Sequence, residues 1–114
     1  MKSVTEIARC LERRAATKNV VTYNDFAREV GAPPVNNFWP NNPLCRVFGD
    51  LDREDAARDW PFRTALVFSQ VLGRPGGGFF KTLSELRSID VPESKRDEIW
   101  SKELDALAAR YGHY

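Results

Sequence analysis

The apolar positions of the first segment fall on a helical repeat. Val4, Ile7, Ala8, Leu11 and Ala15 make one stripe along residues 3–18. Ser3 with Glu6 three residues on is a capping-box signature, and Arg13, Arg14 and Lys18 suit the C-terminal end of the helix dipole. Asn19 marks the stop. Val20-Val21-Thr22 is too short to be more than a lead-in strand. Thr22 then caps a helix over Tyr23 to Val30, whose buried face is Tyr23, Phe26, Ala27 and Val30. Gly31 occupies the left-handed C-cap position, and Pro33-Pro34 prevents continuation.

Residues 35–42 break the pattern. Four asparagines flank Phe38, Trp39 and Pro40, which predicts a loop with its own anchoring side chains. Asn42 at the N-cap and Pro43 at the first helical position open the next helix. Leu44, Val47, Phe48 and Leu51 carry its stripe, from 43 to about 58. Beyond Pro61, the β-branched and aromatic run Phe62 to Val71 predicts a strand. Gly73-Arg74-Pro75-Gly76-Gly77-Gly78 predicts a turn, and Phe79-Phe80 a returning strand. A short helix over 83–89 and a last one over 93–112, carrying Trp100, Leu104, Leu107 and Tyr111, complete the chain. Three helices, a hairpin and a helix make an α+β, mostly α order. The predicted fold is a single domain over 1–114: a three-helix bundle with a β-hairpin wing and an added C-terminal helix, a winged helix-turn-helix.

Composition narrows the chemistry. The chain has 114 residues, room for one core, with 42% apolar and 11% aromatic residues to fill it. Lys+Arg of 17 against Asp+Glu of 16 excludes a polybasic tail protein and an acidic decoy. The one histidine, His113, lies next to the C-terminus, so catalysis built on an internal histidine is excluded. Cys10 and Cys45 cannot make a zinc site alone, and are expected as free thiols. No apolar run approaches the roughly 20 residues that span a bilayer, and Met1-Lys2-Ser3-Val4-Thr5-Glu6 lacks a secretory core. A cytoplasmic, non-enzymatic protein without a cofactor is expected.

The stretch Val21-Thr22-Tyr23-Asn24-Asp25-Phe26-Ala27 resembles the opening of winged-helix proteins such as the C-terminal DNA-binding domain of alkylguanine-DNA alkyltransferases and alkyltransferase-like proteins. The resemblance covers residues 20–80. Arg63-Thr64-Ala65-Leu66-Val67 and Gly73-Arg74-Pro75-Gly76-Gly77-Gly78-Phe79 also resemble a wing found in small bacterial and phage proteins. The family's acceptor motif reads Pro-Cys-His-Arg. Here Pro43-Leu44-Cys45-Arg46 has a residue inserted and no histidine, and Cys45 lies within the helix rather than after it. The resemblance therefore implies fold and nucleic-acid ancestry, and not alkyl transfer.

In such a fold, helix 43–58 would enter the major groove. Asn41, Asn42, Arg46, Gly49 and Arg53 lie on or near its outer face; arginine could read guanine and asparagine adenine. Alternatively, Arg46 and Arg53 pair with Asp50 along the helix. Residues 44–60 carry five acids against three arginines, a surplus that repels phosphate. Arg74 at the glycine tip could enter a minor groove, with Lys81 beyond it, or the tip is a plain turn. Lys81 does not belong to a Walker phosphate loop. Phe38 and Trp39 could form an exposed contact or plug the junction of the second and third helices. Trp60 and Trp100 are expected in the core. Cys45 near a helix start could have a lowered pKa, but lacks a nearby base in the sequence and reads as a small half-buried residue.

The expected partner is double-stranded DNA, bound through Trp39, Asn41, Asn42, Arg46, Arg53, Arg74 and Lys81, in a regulatory role. The alternative is a protein–protein interaction module meeting a basic protein, such as a phage-encoded inhibitor of a nucleic-acid-processing complex. A homodimer through the C-terminal helix is a further expectation.

Overall fold

Ser3 starts the first helix as its spacing from Glu6 predicts. In the computed structural model, which describes residues 1–35 and 39–112, the Ser3 hydroxyl accepts the Glu6 amide. The Glu6 carboxylate accepts the Ser3 amide, closing the capping box. Helix α1 runs Val4–Ala15 and buries Ile7, Ala8, Cys10, Leu11 and Ala15. It ends with the stripe at Ala15, short of the predicted bound at 18, in a turn where Lys18 takes a positive φ of 53°. Strand β1 is Val21–Thr22, and α2 is Tyr23–Val30, capped by Thr22 and closed by Gly31 at φ 74°. Helix α3, Pro43–Ala57, starts on Asn42, whose side-chain oxygen accepts the Leu44 amide at 2.9 Å. Phe38 and His113 lie outside the described residues.

The predicted hairpin is absent. Residues Arg63–Leu66 form a 3-10 turn, followed by the two-residue strand β2, Val67–Phe68. It pairs in parallel with β1, Val21 opposite Val67 and Thr22 opposite Phe68. The expected returning strand is the start of helix α4, Gly77–Arg87. The fold is thus a mostly helical α+β globule with five α-helices and one small parallel sheet among the described residues. It is not a winged helix-turn-helix.

Two physical reasons account for the difference. Phe62 through Val67 are all buried, so the run has no solvent face, as parallel strands and core turns do and hairpins do not. Its polar groups are also taken by side chains. Glu103 accepts the Phe62 amide at 2.6 Å, Asp55 accepts the Arg63 amide at 3.0 Å, and Asp52 accepts the Thr64 hydroxyl at 2.6 Å. The Ala65 carbonyl accepts the Trp100 indole N–H at 2.8 Å. A segment whose donors and acceptors are met this way needs no partner strand.

The glycine tip is divided in two. Ser69 and Arg74 form an isolated antiparallel bridge closed by Gly73 at φ 69°, and Gly76 then opens α4. Phe79, Phe80 and Leu83 pack inward as the first turns of that helix. After a short turn at Glu93–Lys95, α5 runs Arg96–Tyr111 and buries Glu103 and Leu107. Trp100 packs partly buried against the core. Trp60, expected in the core, is half-buried and held between the guanidinium groups of Arg58 and Arg110. No described helix is long and apolar enough to cross a membrane.

Candidate functional site

On α3, Cys45, Phe48, Gly49 and Asp52 share one face by helical spacing. That face meets Tyr23 at the start of α2, Trp39, and Gly78, Phe79 and Thr82 of α4. Together with Thr64 they enclose a cleft of about 220 Å³. A second hollow of about 280 Å³ shares Tyr23, Trp39, Gly78 and Phe79, and runs outward past Val35, Ser69, Gly76 and Leu72. The rings brace one another at steep angles. Tyr23 and Trp39 lie 5.3 Å apart at 60°, and Trp39 and Phe48 5.6 Å apart at 59°. Beside the outer hollow the Ser69–Arg74 turn exposes Leu72 at 56% and its neighbour Val71 at 93%.

One polar group sits at the inner end. Asp52 is only 5% exposed, and its Oδ1 accepts the Thr64 hydroxyl. Burial pushes its pKa up to about 7; the Thr64 hydrogen bond opposes the rise and the Asp55 charge adds to it, while Arg53 and Arg63 pull it down. Burial also raises Tyr23, with the Gly76 backbone acting against it. The Cys45 thiol is raised by burial rather than lowered by the helix start, which keeps it protonated and poorly nucleophilic. Among the described residues, no group of three His, Cys, Asp or Glu could hold a metal ion.

Because Asp52 is protonated more readily when folded than when unfolded, the folded state binds the extra proton between about pH 4 and its raised value. Stability therefore falls as pH rises through that window, by up to about 1.4 kcal/mol per pH unit. Asp55, raised chiefly by burial, adds to the same slope. Urea melts of wild type and Asp52→Asn across the window check this: the variant should show the shallower dependence and gain most at the alkaline end. An unchanged slope would refute the assignment.

Of the residues singled out from the sequence, Trp39 lines the cleft. Arg53 borders it, its guanidinium 3.4 Å from where a Cβ on Gly49 would stand, and pairs with Asp50 at 2.5 Å. Asn42 is buried, its amide N–H groups donating to the carbonyls of Pro33 and Pro34, so it is not available to read a base. Arg74 is held by Asp97 at 3.2 Å and Glu93 at 3.5 Å. Asn41, Arg46 and Lys81 are exposed. Tyr23, Phe48, Asp52, Thr64 and Phe79 were missed as site residues. Asp52 did leave a signal, since it lies one helical turn after Phe48, on the apolar stripe.

No family model matches this chain, and neither does any curated protein or solved structure.

Proposed function

We propose that the protein is a non-enzymatic module that docks a protein partner, with the aromatic cleft and the Val71–Leu72 lip as its working surface. One observation carries this reading. The apolar lip is exposed and leads directly into a cleft walled by Tyr23, Trp39 and Phe79. Large aromatics in a pocket, ringed by apolar contact, are the composition of an interface hot spot. The carboxyl of Asp52 in the cleft suits a partner segment that brings an apolar anchor beside a basic residue.

Duplex DNA is the weaker candidate. The wing that would flank α3 does not exist in this fold, and Arg53, Arg58 and Arg74 are paired with acids. Phosphate binding draws on free cations, and these three are engaged.

The test identifies the partner by photocrosslinking from position 72, then measures the affinity of the purified pair. Trp39→Ala and Leu72→Asp should each weaken it by roughly thirtyfold or more, the cost of a hot-spot truncation. Lys18→Ala, whose ammonium pairs with Asp105 on α5 and lines neither hollow, should leave it unchanged. Equal affinities for all variants would refute the reading. So would salt-dependent duplex binding that is lost in Arg46→Ala.

A further inference from the structure

The aromatic walls of the cleft explain an apolar anchor, but not the carboxyl at its inner end. A carboxyl oxygen that reaches the cleft without a protein donor is open to a ligand that donates. Thr64 spends its single hydroxyl hydrogen on Oδ1. Among the described residues Oδ2 has no hydrogen-bond partner, and Asp52 lines the cleft. The nearest cations are engaged elsewhere. Arg53 is on Asp50, and Arg63 is shared among Glu12, Glu54 and Asp55. We propose that the inner cleft is a subsite for a guanidinium group, the side chain of an arginine on the docked partner segment.

The chemistry selects this group. An ionised carboxyl only accepts, so the occupant must donate. Tyr23, Trp39, Phe48 and Phe79 line the cleft, and aromatic rings favour a cation over a neutral donor. A guanidinium is flat, more weakly hydrated than an ammonium, and donates in a fork that fits a carboxylate. No other charged side chain lines the inner cleft. Tyr23 comes from α2, Cys45 from α3, Thr64 from the 3-10 turn, and Thr82 from α4. Asp55, Arg53 and Arg63 act on Asp52 only from alongside.

This subsite rests on the docking reading, but its test does not need the partner. Benzamidine, a planar amidinium on an aromatic ring, is the probe, and benzamide is its neutral counterpart. Each is titrated into the 114-residue chain by NMR, following the amides of Gly49, Thr64 and Gly78. Benzamidine should bind at least about tenfold more tightly than benzamide at about pH 8. It should weaken about tenfold by about pH 6, because only the ionised fraction of Asp52 is competent. Asp52→Asn should abolish both differences. Equal binding of the two probes, a flat pH response, or shifts that map to the outer acids Glu93 and Asp97 would each overturn the subsite. The wild-type comparisons decide the matter even where the variant fails to fold.

Two further arms separate the claims. Val71→Ser, at a lip residue that lines neither hollow, should weaken partner docking and leave benzamidine binding intact, so loss of one without the other shows which reading failed. Benzamidine should also displace the purified partner in competition. Binding without displacement would overturn the assignment to a partner arginine.

Discussion

Arg63→Ala is expected to cost about 3–5 kcal/mol, the penalty for removing one member of a buried ionic cluster. Arg63 is 3% exposed. Its guanidinium reaches Glu12 at 2.9 Å on α1, and Glu54 at 3.2 Å and Asp55 at 3.0 Å on α3. Alanine leaves the fully buried Asp55 with only the backbone amide of residue 63 as donor, beside a new cavity. Against a total stability of roughly 5–15 kcal/mol, that loss brings the chain near unfolding. Urea denaturation checks it: the midpoint should fall with the slope unchanged. The deficit should also shrink in acid. Without the guanidinium, the Asp55 carboxyl rises further above its unfolded value, so the destabilisation grows as pH increases. A loss below about 1 kcal/mol would place this cluster among ordinary surface pairs.

Glu103→Ala should be nearly as damaging, again about 3–5 kcal/mol. The carboxylate is 5% exposed and takes both forks of Arg87, at 2.7 and 2.5 Å, together with the Phe62 amide at 2.6 Å. It therefore ties α5 to α4 and to the segment between α3 and β2. Glu103→Gln keeps an acceptor for the Phe62 amide and should cost less, about 1–3 kcal/mol. The consequence reaches the cleft. Arg87 lies 4.6 Å over the Phe62 ring, and Phe62 packs edge-on against Phe79, a wall of the cleft. Folded Glu103→Gln should consequently bind benzamidine more weakly than wild type in the titration above. Undiminished binding would show that Phe79 is positioned independently of this contact.

These two residues also mark where reading the sequence stops. In the sequence Asp52 and Asp55 read only as part of the acid surplus of residues 44–60, a bar to phosphate. Both are buried, and both hold the chain beyond their own helix. The run Phe62 to Val71 has strand composition, yet most of it is not strand. Composition cannot reveal that its amides already have acceptors. Phe79 and Phe80 were read with it as a second strand. They belong to α4, because Leu83 continues their apolar face at helical spacing. For Trp39 the sequence leaves open an exposed contact or a plug between the second and third helices, and the ring packs on Tyr23 and Phe48 from those two helices, as the plug requires. The cleft itself was not legible, since its residues come from five separate stretches of chain.

What the sequence determined alone was local: the box at Ser3 and Glu6, the caps at Thr22 and Asn42, the left-handed stop at Gly31, and the stripes of α1, α2 and α3. Each depends on hydrogen bonds or contacts spanning a few residues, so the chain carries its own instructions for them. What only the tertiary structure decided was where the carboxylates go. Asp52 meets Thr64 across 12 positions and Glu103 meets Phe62 across 41. No local periodicity encodes those distances. They arise when burial forces each polar group to find a partner, and that settles both the missing hairpin and the cleft.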